Sequence, residues 1–437
     1  MTRVLIASDK FKGSLSAAEV GAAVRLGIQR VRPSAEVSVV PIADGGDGTV
    51  DAALAAGFEA VLVTAPGPTG QPMCTAYARR DDIAVVELAD VSGLVRLPGG
   101  KFAPMTATSR GAGAVIAAAI EAGCRRVVLG IGGSAGTDGG AGLLRALGAR
   151  LLDADGVEIG DGGAELARLD AIDLAAVREQ LAGVEITVAC DVDNPLTGPR
   201  GAAAVYGPQK GADGDQVAAL DAALTHWADC VAEATGTDLR ERAGAGAAGG
   251  VGFAAVAVLG ARLRPGIELV LELVGFAERV VSADLVVTGE GMLDEQTLYG
   301  KAPAGVAVAA GASGVPVVAV CGQNALSANQ LRAAGFSAVY SLAEIEPDLA
   351  RCFAAGGLLL ERLGARIAAA HLPPEVAAGQ RSRGCVAGQQ PAAEQLSSAN
   401  AAEALPTAAE QPERSAAGDI IAAAARNGAR TFDGKFR

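Results

Sequence analysis

The stretch TRVLIASDKFKGSLSAAEV, residues 2–20, decides the fold class. Its apolar run Val4–Ser8 predicts a short buried strand, and a helix is predicted to begin near Ser16 and to end at about Val31. A loop with a carboxylate, lysines and hydroxyl groups separates the two. In open α/β sheets ligands bind outside the carboxyl ends of the strands, so this loop is the first candidate for a binding site.

The same alternation of strand and helix recurs along the chain. Further short apolar runs, each ending near Gly, Asp or Ser, are Val37–Ile42, Arg126–Ile131, Val184–Cys190, Leu285–Thr288, Val315–Cys321 and Ala338–Tyr340. Continuous apolar strands between helices are typical of a parallel sheet that is buried on both faces. The segments Cys74–Arg80 and Ile83–Leu88, joined by Asp81-Asp82, predict an antiparallel hairpin instead.

These patterns predict an α/β fold with two domains. The first is a Rossmann-like, doubly wound parallel sheet, and the second is a mixed α/β domain inserted into it. The expected bounds are residues 1–60 and 281–372 for the first domain and 61–280 for the inserted one. Residues 373–437 are rich in Ala, Gln, Ser, Glu and Pro, which predicts a disordered tail.

Composition excludes several classes of function. The chain of 437 residues has a net charge of −13 and 3% aromatic residues, which argues against a nucleic-acid partner because phosphate contacts need clustered cations. Two histidines among 437 residues argue against a His-based triad or zinc site. Scattered cysteines without a CxxC pair indicate reduced thiols and a cytoplasmic protein. The uncharged stretch Ala243–Ala261 approaches the length of a membrane span, but it is mostly Ala and Gly and therefore predicts a glycine-rich loop that leads into a helix.

Five polar loops follow five predicted strands. They are Ser8–Ser14, Ala43–Thr49, Gly130–Gly140, Cys190–Leu196 and Thr288–Thr297. Each loop alone is also compatible with a tight turn and an Asp or Ser helix cap. Five such loops after five strands indicate one ligand site, in which glycines admit close backbone approach and carboxylates hold Mg²⁺. An acidic protein must bind anions there locally, through lysines and backbone amides.

Six motifs, in this order, resemble the glycerate kinase family of the bacterial glycerate 2-kinase type. They are SDKFKGSLSA (8–17), ADGGDGT (43–49), GIGGSAGTDGGAG (130–142), ACDVDNPLTGPRGAAAVYGPQKGA (189–212), TGEGMLDEQTLYGKAPAGVA (288–307) and SLAEIEPDLARCF (341–353). The resemblance extends from about Arg3 to Leu372. It implies ATP-dependent phosphorylation of D-glycerate, usually at the 2-hydroxyl, in a cleft between two α/β domains.

Roles for single residues follow from the needs of phosphoryl transfer, namely positioning, charge neutralisation by Mg²⁺ and a group that accepts the hydroxyl proton. Asp191 is the preferred base, with Asp44 and Asp294 as rivals. The predicted catalytic residues are Asp191, Lys12 and Asp294, and the predicted substrate-binding residues are Asp9, Ser14, Asp44, Asn194, Lys210 and Lys301. Phosphate contacts are predicted for Gly132, Gly133, Ser134 and Asp138, and Mg²⁺ contacts for Asp47 and Glu290.

Two other classes of function compete with a kinase. One is an NAD(P)-dependent dehydrogenase of a small hydroxy acid, but no acidic residue ends a strand about twenty residues after the Gly130–Gly140 loop to bind a ribose. The other is a non-catalytic sensor of a phosphorylated acid. The resemblance leads us to expect an Arg where Met292 stands, so that a cation near the substrate or phosphate is either missing, which favours the sensor, or supplied elsewhere. The expected partner is a small molecule, without nucleic acid or membrane, and a homo-oligomer stays open.

Overall fold

The computed structural model describes residues 2–375. In these residues the strands are β1 Arg3–Ile6, β2 Glu36–Val39, β3 Glu59–Pro66, β4 Pro72–Arg80, β5 Ile83–Glu87, β6 Arg126–Gly130, β7 Arg150–Leu152, β8 Ala171–Asp173, β9 Glu185–Ala189, β10 Arg262–Arg264, β11 Leu285–Leu293, β12 Val317–Asn324 and β13 Phe336–Ser341. The helices are α1 Ala17–Val31, α2 Thr49–Ala55, α3 Ala89–Ser92, α4 Arg110–Glu121, α5 Ala141–Ala146, α6 Ala175–Gln180, α7 Ala202–Tyr206, α8 Gly214–Thr235, α9 Ala247–Ala257, α10 Gly266–Leu273, α11 Phe276–Val280, α12 Glu295–Leu298, α13 Ala302–Ala312, α14 Ala328–Ala333, α15 Leu349–Ala354 and α16 Gly356–His371. Short 3₁₀ turns cover Leu94–Arg96, Pro98–Gly100, Gly163–Arg168, Pro208–Lys210 and Leu342–Glu344.

The first sheet has five parallel strands in the order β13-β12-β11-β1-β2. From β1 the chain continues to one side, and from β11 it continues to the other, so the strand order reverses between these two neighbours. Such a switch point leaves a crevice outside the carboxyl ends of the strands. Val4 of β1 pairs with Leu285 of β11 and with Val37 of β2, which places the loops after all three strands at one edge.

Both faces of the first sheet are buried, as the apolar runs predict. Val4 and Ile6 pack with α1 and α16 on one face, whereas Leu5 packs with α10 and α13 on the other. Helix α1 begins where the sequence predicts, because the Ser16 side chain accepts from the backbone N–H of Glu19, whose own carboxylate accepts from the backbone N–H of Ser16. The prediction of a parallel sheet between helical layers is confirmed.

The second sheet has six strands in the order β10-β9-β6-β5-β4-β3. Strands β3, β4 and β5 are antiparallel neighbours, and the other pairings are parallel, so the sheet is mixed. The predicted hairpin is confirmed, with Arg80 opposite Ile83. A separate pair, β7-β8, is antiparallel. Strands of the first sheet fall within residues 3–39 and 285–341 and those of the second within 59–264, and the division into two domains stays a prediction.

One strand is longer than predicted. Strand β11 continues past Thr288 to Leu293, and Met292 and Leu293 still pair with β12. Part of the fifth predicted loop is therefore strand. The reason lies in Gly289, where an added Cβ would come within 2.3 Å of the Val320 carbonyl oxygen, so that the glycine admits the neighbouring backbone closely.

The remaining predictions concern the helix after Ala243 and the chain end. Helix α9 is buried, as expected for a glycine-rich loop that leads into a helix. In residues 2–375 no helix has the length and apolarity needed to cross a bilayer. The predicted tail, residues 373–437, lies outside the described residues except at its start, where the Pro373 carbonyl accepts from Arg32 Nε at 2.8 Å.

Candidate active site

A cleft of about 760 Å³ lies at the carboxyl ends of the first sheet. The predicted site residues that line it are Asp9, Lys12, Ser14, Asp44, Asp47, Gly132, Gly133, Glu290, Asp294 and Lys301. They come from the loops after β1, β2 and β6 and from the end of β11. Four of the five predicted loops therefore meet at one place, and the volume suits a small-molecule or cofactor site.

The loop after β1 is fixed at both of its ends. The backbone N–H of Asp9 donates to the Gly289 carbonyl at 2.9 Å, which joins the loop to β11. Phe11 and Leu15 exchange two backbone hydrogen bonds, and Gly13 takes φ +82° in the turn between them. The Ser14 hydroxyl donates to the Phe11 carbonyl at 3.0 Å. This closure directs Asp9 and the following lysines into the cleft.

Asp9, in this loop, is a carboxyl group with a strongly raised pKa. Burial raises its pKa to about 7, the positive charge of Lys10 offsets part of this rise, and the negative charges of Asp44 and Glu290 add to it. Its Oδ1 accepts from the Lys10 backbone N–H at 2.7 Å. Asp9 is therefore a carboxyl group that titrates near neutral pH inside the cleft.

The loop after β2 is held by a carboxylate of the other sheet. Glu87, at the end of β5, accepts from the backbone N–H groups of Gly48 at 3.0 Å and Val50 at 3.2 Å. The pKa of Glu87 is raised to about 8, chiefly by burial and next by the negative charge of Asp90. Because Glu87 binds the start of α2, it fixes the loop that carries Asp44.

The cations of this region differ in how they are paired. The Asp47 carboxylate forms an ion pair with Lys10 Nζ at 2.9 Å. Lys301 Nζ lies 3.8 Å from Glu290 Oε2 and 4.0 Å from Asp294 Oδ1, looser contacts than that of Lys10. Lys301 thus retains more capacity to bind a ligand anion than Lys10 does.

Two carboxylates near the end of β11 are held by helix α12. Glu290 Oε1 accepts from the Thr297 hydroxyl at 2.6 Å, and burial raises the pKa of Glu290. Asp294 is the N-cap of α12, where its Oδ1 accepts from the backbone N–H groups of Gln296 at 2.9 Å and Thr297 at 3.3 Å. Asp294 therefore has a structural task that weakens its case as a base.

The glycine-rich loop after β6 reaches the cleft with its first part only. Gly132 lies against Gly46, since an added Cβ would come within 2.8 Å of the Gly46 Cα. Beyond Gly133 the loop turns inward, and Ser134 Oγ accepts from the buried Lys210 Nζ at 2.8 Å. The same ammonium donates to the Gly136 carbonyl at 2.5 Å. Ser134 and Lys210 therefore lie outside the lining of the cleft.

Asp138 and Lys210 are buried in this inward part of the loop. Burial lowers the pKa of Lys210 to about 7, partly offset by the charge of Asp138. The Asp138 carboxylate accepts from the Ser109 backbone N–H at 2.7 Å and from the Gly142 N–H at 3.2 Å. Both side chains stabilise the loop from within, and neither lines the cleft.

The loop after β9 lies beside the cleft, and its predicted residues do not line it. Asp191 Oδ1 accepts from the Gly266 backbone N–H at 2.8 Å. Burial raises the pKa of Asp191 to about 6, with a further rise from the nearby Asp44. Asn194 accepts from the Tyr206 hydroxyl at 2.6 Å and donates to the Arg200 carbonyl at 2.8 Å, so its amide is used within the loop.

Three side chains of this region were missed by sequence reasoning. Lys10 stands inside the first motif but received no role, and its pairing with Asp47 depends on two loops that are distant in the sequence. Glu87 had a signal, since a carboxylate ends the apolar run IAVVE. Phe353 ends the sixth motif, and its place in the lining of the cleft follows from sheet order that the sequence does not reveal.

The cleft offers carboxylate oxygens, which are donors that Mg²⁺ prefers. Within residues 2–375 no three His, Cys, Asp or Glu side chains are close enough to hold a metal by themselves. Mg²⁺ in nucleotide sites needs only one or two carboxylates, with water and phosphate oxygens completing the shell. Asp44 and Glu290 face the cleft with oxygen donors of this kind, so the residues fit the ion. Asp47 is the weaker candidate, because Lys10 neutralises it.

Comparisons with known proteins agree with this geometry. The family model described as the glycerate kinase family matches residues 4–372. The chain is 44% identical over 370 residues to the glycerate kinase of Bacillus subtilis, which covers 84% of this chain and 97% of the relative. It is 43% identical over 345 residues to the glycerate 2-kinase of Escherichia coli K12, and this match covers 78% of this chain and 90% of the relative.

A solved structure extends the likeness to the fold. A crystal structure described as a glycerate kinase 2 of Salmonella typhimurium LT2 superposes with a TM-score of 0.73 at 40% identity, covering 84% of this chain and 97% of that one. These matches give no support to the dehydrogenase or to the sensor. The chain belongs to the glycerate kinase family, and it is a kinase.

Proposed function

We propose that this protein transfers the γ-phosphoryl group of ATP to the 2-hydroxyl of D-glycerate, giving 2-phosphoglycerate and ADP. The observation that carries the proposal is the single cleft in which Lys12, Lys301, glycine-rich backbone and several carboxylates face one another. Phosphoryl transfer needs this combination, because catalysis rests on positioning and on neutralisation of charge. The relative from Escherichia coli, which bears the name glycerate 2-kinase, supports the choice of hydroxyl.

The glycerate carboxylate is assigned to Lys301 and Lys12. Lys301 has only the loose contacts with Glu290 and Asp294 and is one-third exposed, and Lys12 is exposed at the rim of the cleft. Ammonium groups bind small carboxylates as compact charges with several donors. Holding the carboxylate fixes the adjacent 2-hydroxyl, which is the group to be phosphorylated.

The hydroxyl proton is assigned to the Asp9 carboxylate. Asp9 lines the cleft, and a pKa of about 7 matches what a general base needs at neutral pH. Asp191, the base preferred from the sequence, lies beside the cleft with one oxygen bonded to Gly266. In the reaction the bond between the 2-oxygen and the γ-phosphorus forms, the bond from that phosphorus to the bridging oxygen of ADP breaks, and Asp9 takes the proton.

The phosphate groups are assigned to backbone donors and to the region of Asp44. Gly132 and Gly133 bring backbone N–H groups to the cleft, where no side chain blocks approach. Asp44 and Glu290 would hold Mg²⁺, which supplies neutralisation of the phosphate charge when bound.

The first test is release of ADP by the purified protein with Mg-ATP and each of D-glycerate, L-lactate and glycerol. We expect release with D-glycerate only, since L-lactate carries its 2-hydroxyl in the opposite configuration and glycerol lacks the carboxylate. In the same assay Asp9→Asn should lower kcat at least about 100-fold while the affinity for ADP changes less than about threefold.

Asp191→Asn is the matched comparison in that assay, because it makes the same change in a neighbouring carboxylate. If Asp191→Asn loses turnover and Asp9→Asn keeps it, the proton belongs to Asp191. If folded wild-type protein releases no ADP with D-glycerate, the proposed function is wrong.

A further inference from the structure

The cleft has an apolar end that the proposed chemistry does not use. Besides the charged loops, two groups of apolar side chains line the cleft, Ala89, Leu94 and Val95 from the segment after β5 and, at this end, Met292, Leu342, Leu349, Cys352 and Phe353. The second group contains the exposed aromatic ring, that of Phe353. Phe353 is 57% exposed, and Met292 and Leu349 are each 45% exposed. Exposed apolar side chains that gather inside a binding cleft indicate a ligand with an apolar surface.

Sheet order fixes where this apolar end lies. Leu342, Leu349 and Phe353 follow β13, the outer strand of the sheet, whereas the charged loops follow β11, β1 and β2. Neighbouring strands are spaced about 4.8 Å apart, so the outer strands β13 and β2 are separated by about 19 Å. The segment after β13 therefore enters the cleft from one outer edge of the sheet, whereas the charged loops enter it from β11, β1 and β2.

The apolar segment is held firmly before any ligand binds. The Ser341 hydroxyl donates to the Gly322 carbonyl at 2.9 Å, which ties the end of β13 to β12. Asp348 caps α15 through the backbone N–H of Ala350 at 2.9 Å. The ring of Phe353 lies beside Gly13, 3.7 Å from where a Cβ would stand, so the aromatic ring borders the loop that carries Asp9 and Lys12.

We infer that this apolar end, formed by Phe353, Leu349 and Met292, binds the adenine ring of ATP. The inference rests on the proposed function and deepens it, because it assigns a place to the part of the nucleotide that the charged loops leave unbound. A purine has a flat apolar face that stacks on aromatic rings, and its triphosphate extends from it toward cations and backbone donors. Phe353, Lys301 and Gly132 line the same cleft, so the base and the phosphate groups of one nucleotide can be bound there together.

Calorimetric titration with ADP and with tripolyphosphate tests the inference, because the first probe has the base and the second does not. Phe353→Ala should weaken ADP binding about tenfold, as expected for loss of one stacking contact, and leave tripolyphosphate binding within about twofold of wild type. Phe353→Trp should retain the affinity for ADP. Phe102→Ala is the matched control, since Phe102 is 52% exposed and lies outside the lining of the cleft.

The outcomes separate this inference from the proposed function. If Phe353→Ala binds ADP as wild type does, the adenine site lies elsewhere and the inference is wrong. Equal losses for ADP and tripolyphosphate would also overturn it, because the residue would then act on the phosphates or on the fold. A change in sedimentation with unchanged ADP affinity would make the patch a contact between copies. Titration with ADP needs no turnover, so these results are independent of whether D-glycerate is the substrate.

Discussion

The Asp9 side chain links the chemistry of the cleft to the stability of the protein. Its pKa is about 7 in the folded state and 3.8 as an ordinary carboxyl group. Between these two values the folded protein binds the proton that the unfolded chain releases. The unfolding free energy contributed by this group therefore falls as pH rises from about 4 to about 7.

This sign gives a prediction for Asp9→Asn. Because the amide does not titrate, the variant should gain stability relative to wild type as pH is raised from 5 to 8. Urea denaturation of both proteins at the two pH values measures the difference. Asp193→Asn is the control, since Asp193 is exposed and pairs with Arg200 at the surface. If the difference in unfolding free energy between Asp9→Asn and wild type is the same at both pH values, the pKa of Asp9 is not raised in the folded protein.

The sequence predicted which kinds of residue form the site more readily than it predicted where each side chain lies. The motif around Asp9 identified a carboxylate, lysines and hydroxyls at a strand end, and the structure places them in one cleft. Lys210 and Asp138 belong to equally polar motifs, yet their side chains are buried and satisfied by local partners. A sequence motif does not show toward which side of a loop a side chain points, because the packing of distant elements decides it.

At the scale of elements, the backbones of helices α1 and α16 lie in close contact, which the sequence did not reveal. An added Cβ at Gly27 would come within 1.9 Å of the Glu361 carbonyl oxygen, and one at Gly364 within 2.3 Å of the Val24 carbonyl oxygen. The two glycines therefore let the helix backbones touch. This contact covers one face of the first sheet and supports the strand that leads to Asp9.

Gly27→Ala should separate these helices and destabilise the protein by about 1–3 kcal/mol, the usual cost of overpacking. Gly311→Ala is the matched control, since Gly311 lies in helix α13 and an added Cβ there meets open space. Helix propensity alone favours Ala over Gly by about 1 kcal/mol, so the control should be neutral or stabilising. Chemical denaturation measures both, and a neutral Gly27→Ala would contradict the close helix contact.

Elements with strong local signals were predicted well, and those set by pairing were not. The start of α1 was predicted near Ser16, and in the structure Ser16 caps the helix together with Glu19. Strand β11 was predicted to stop at Thr288, and the residues after it were predicted to form a loop. It continues to Leu293, and Gly289 admits the neighbouring backbone of β12, a contact between segments about thirty residues apart that no local pattern records.

At the scale of the whole molecule, the order of strands brings the chemistry together. The sheet order β13-β12-β11-β1-β2 places charged loops from both ends of the chain at one edge, and the loop after β6 of the other sheet lies against Gly46. The alternation of strand and helix predicted such a sheet but not its order. Asp191 is an example. The sequence correctly predicted that it follows a strand, but that strand is β9 of the second sheet, and Asp191 lies beside the cleft without lining it.

The central claim is transfer of phosphate to the 2-hydroxyl of D-glycerate, and proton-coupled ³¹P NMR of the reaction mixture tests it most directly. Carbon 2 carries one hydrogen and carbon 3 carries two. We predict a new phosphate ester signal split into a doublet, formed together with ADP and absent when D-glycerate is omitted. A triplet would place the phosphate on the 3-hydroxyl, and the absence of any new ester signal from active, folded protein would contradict the assignment of glycerate as the substrate.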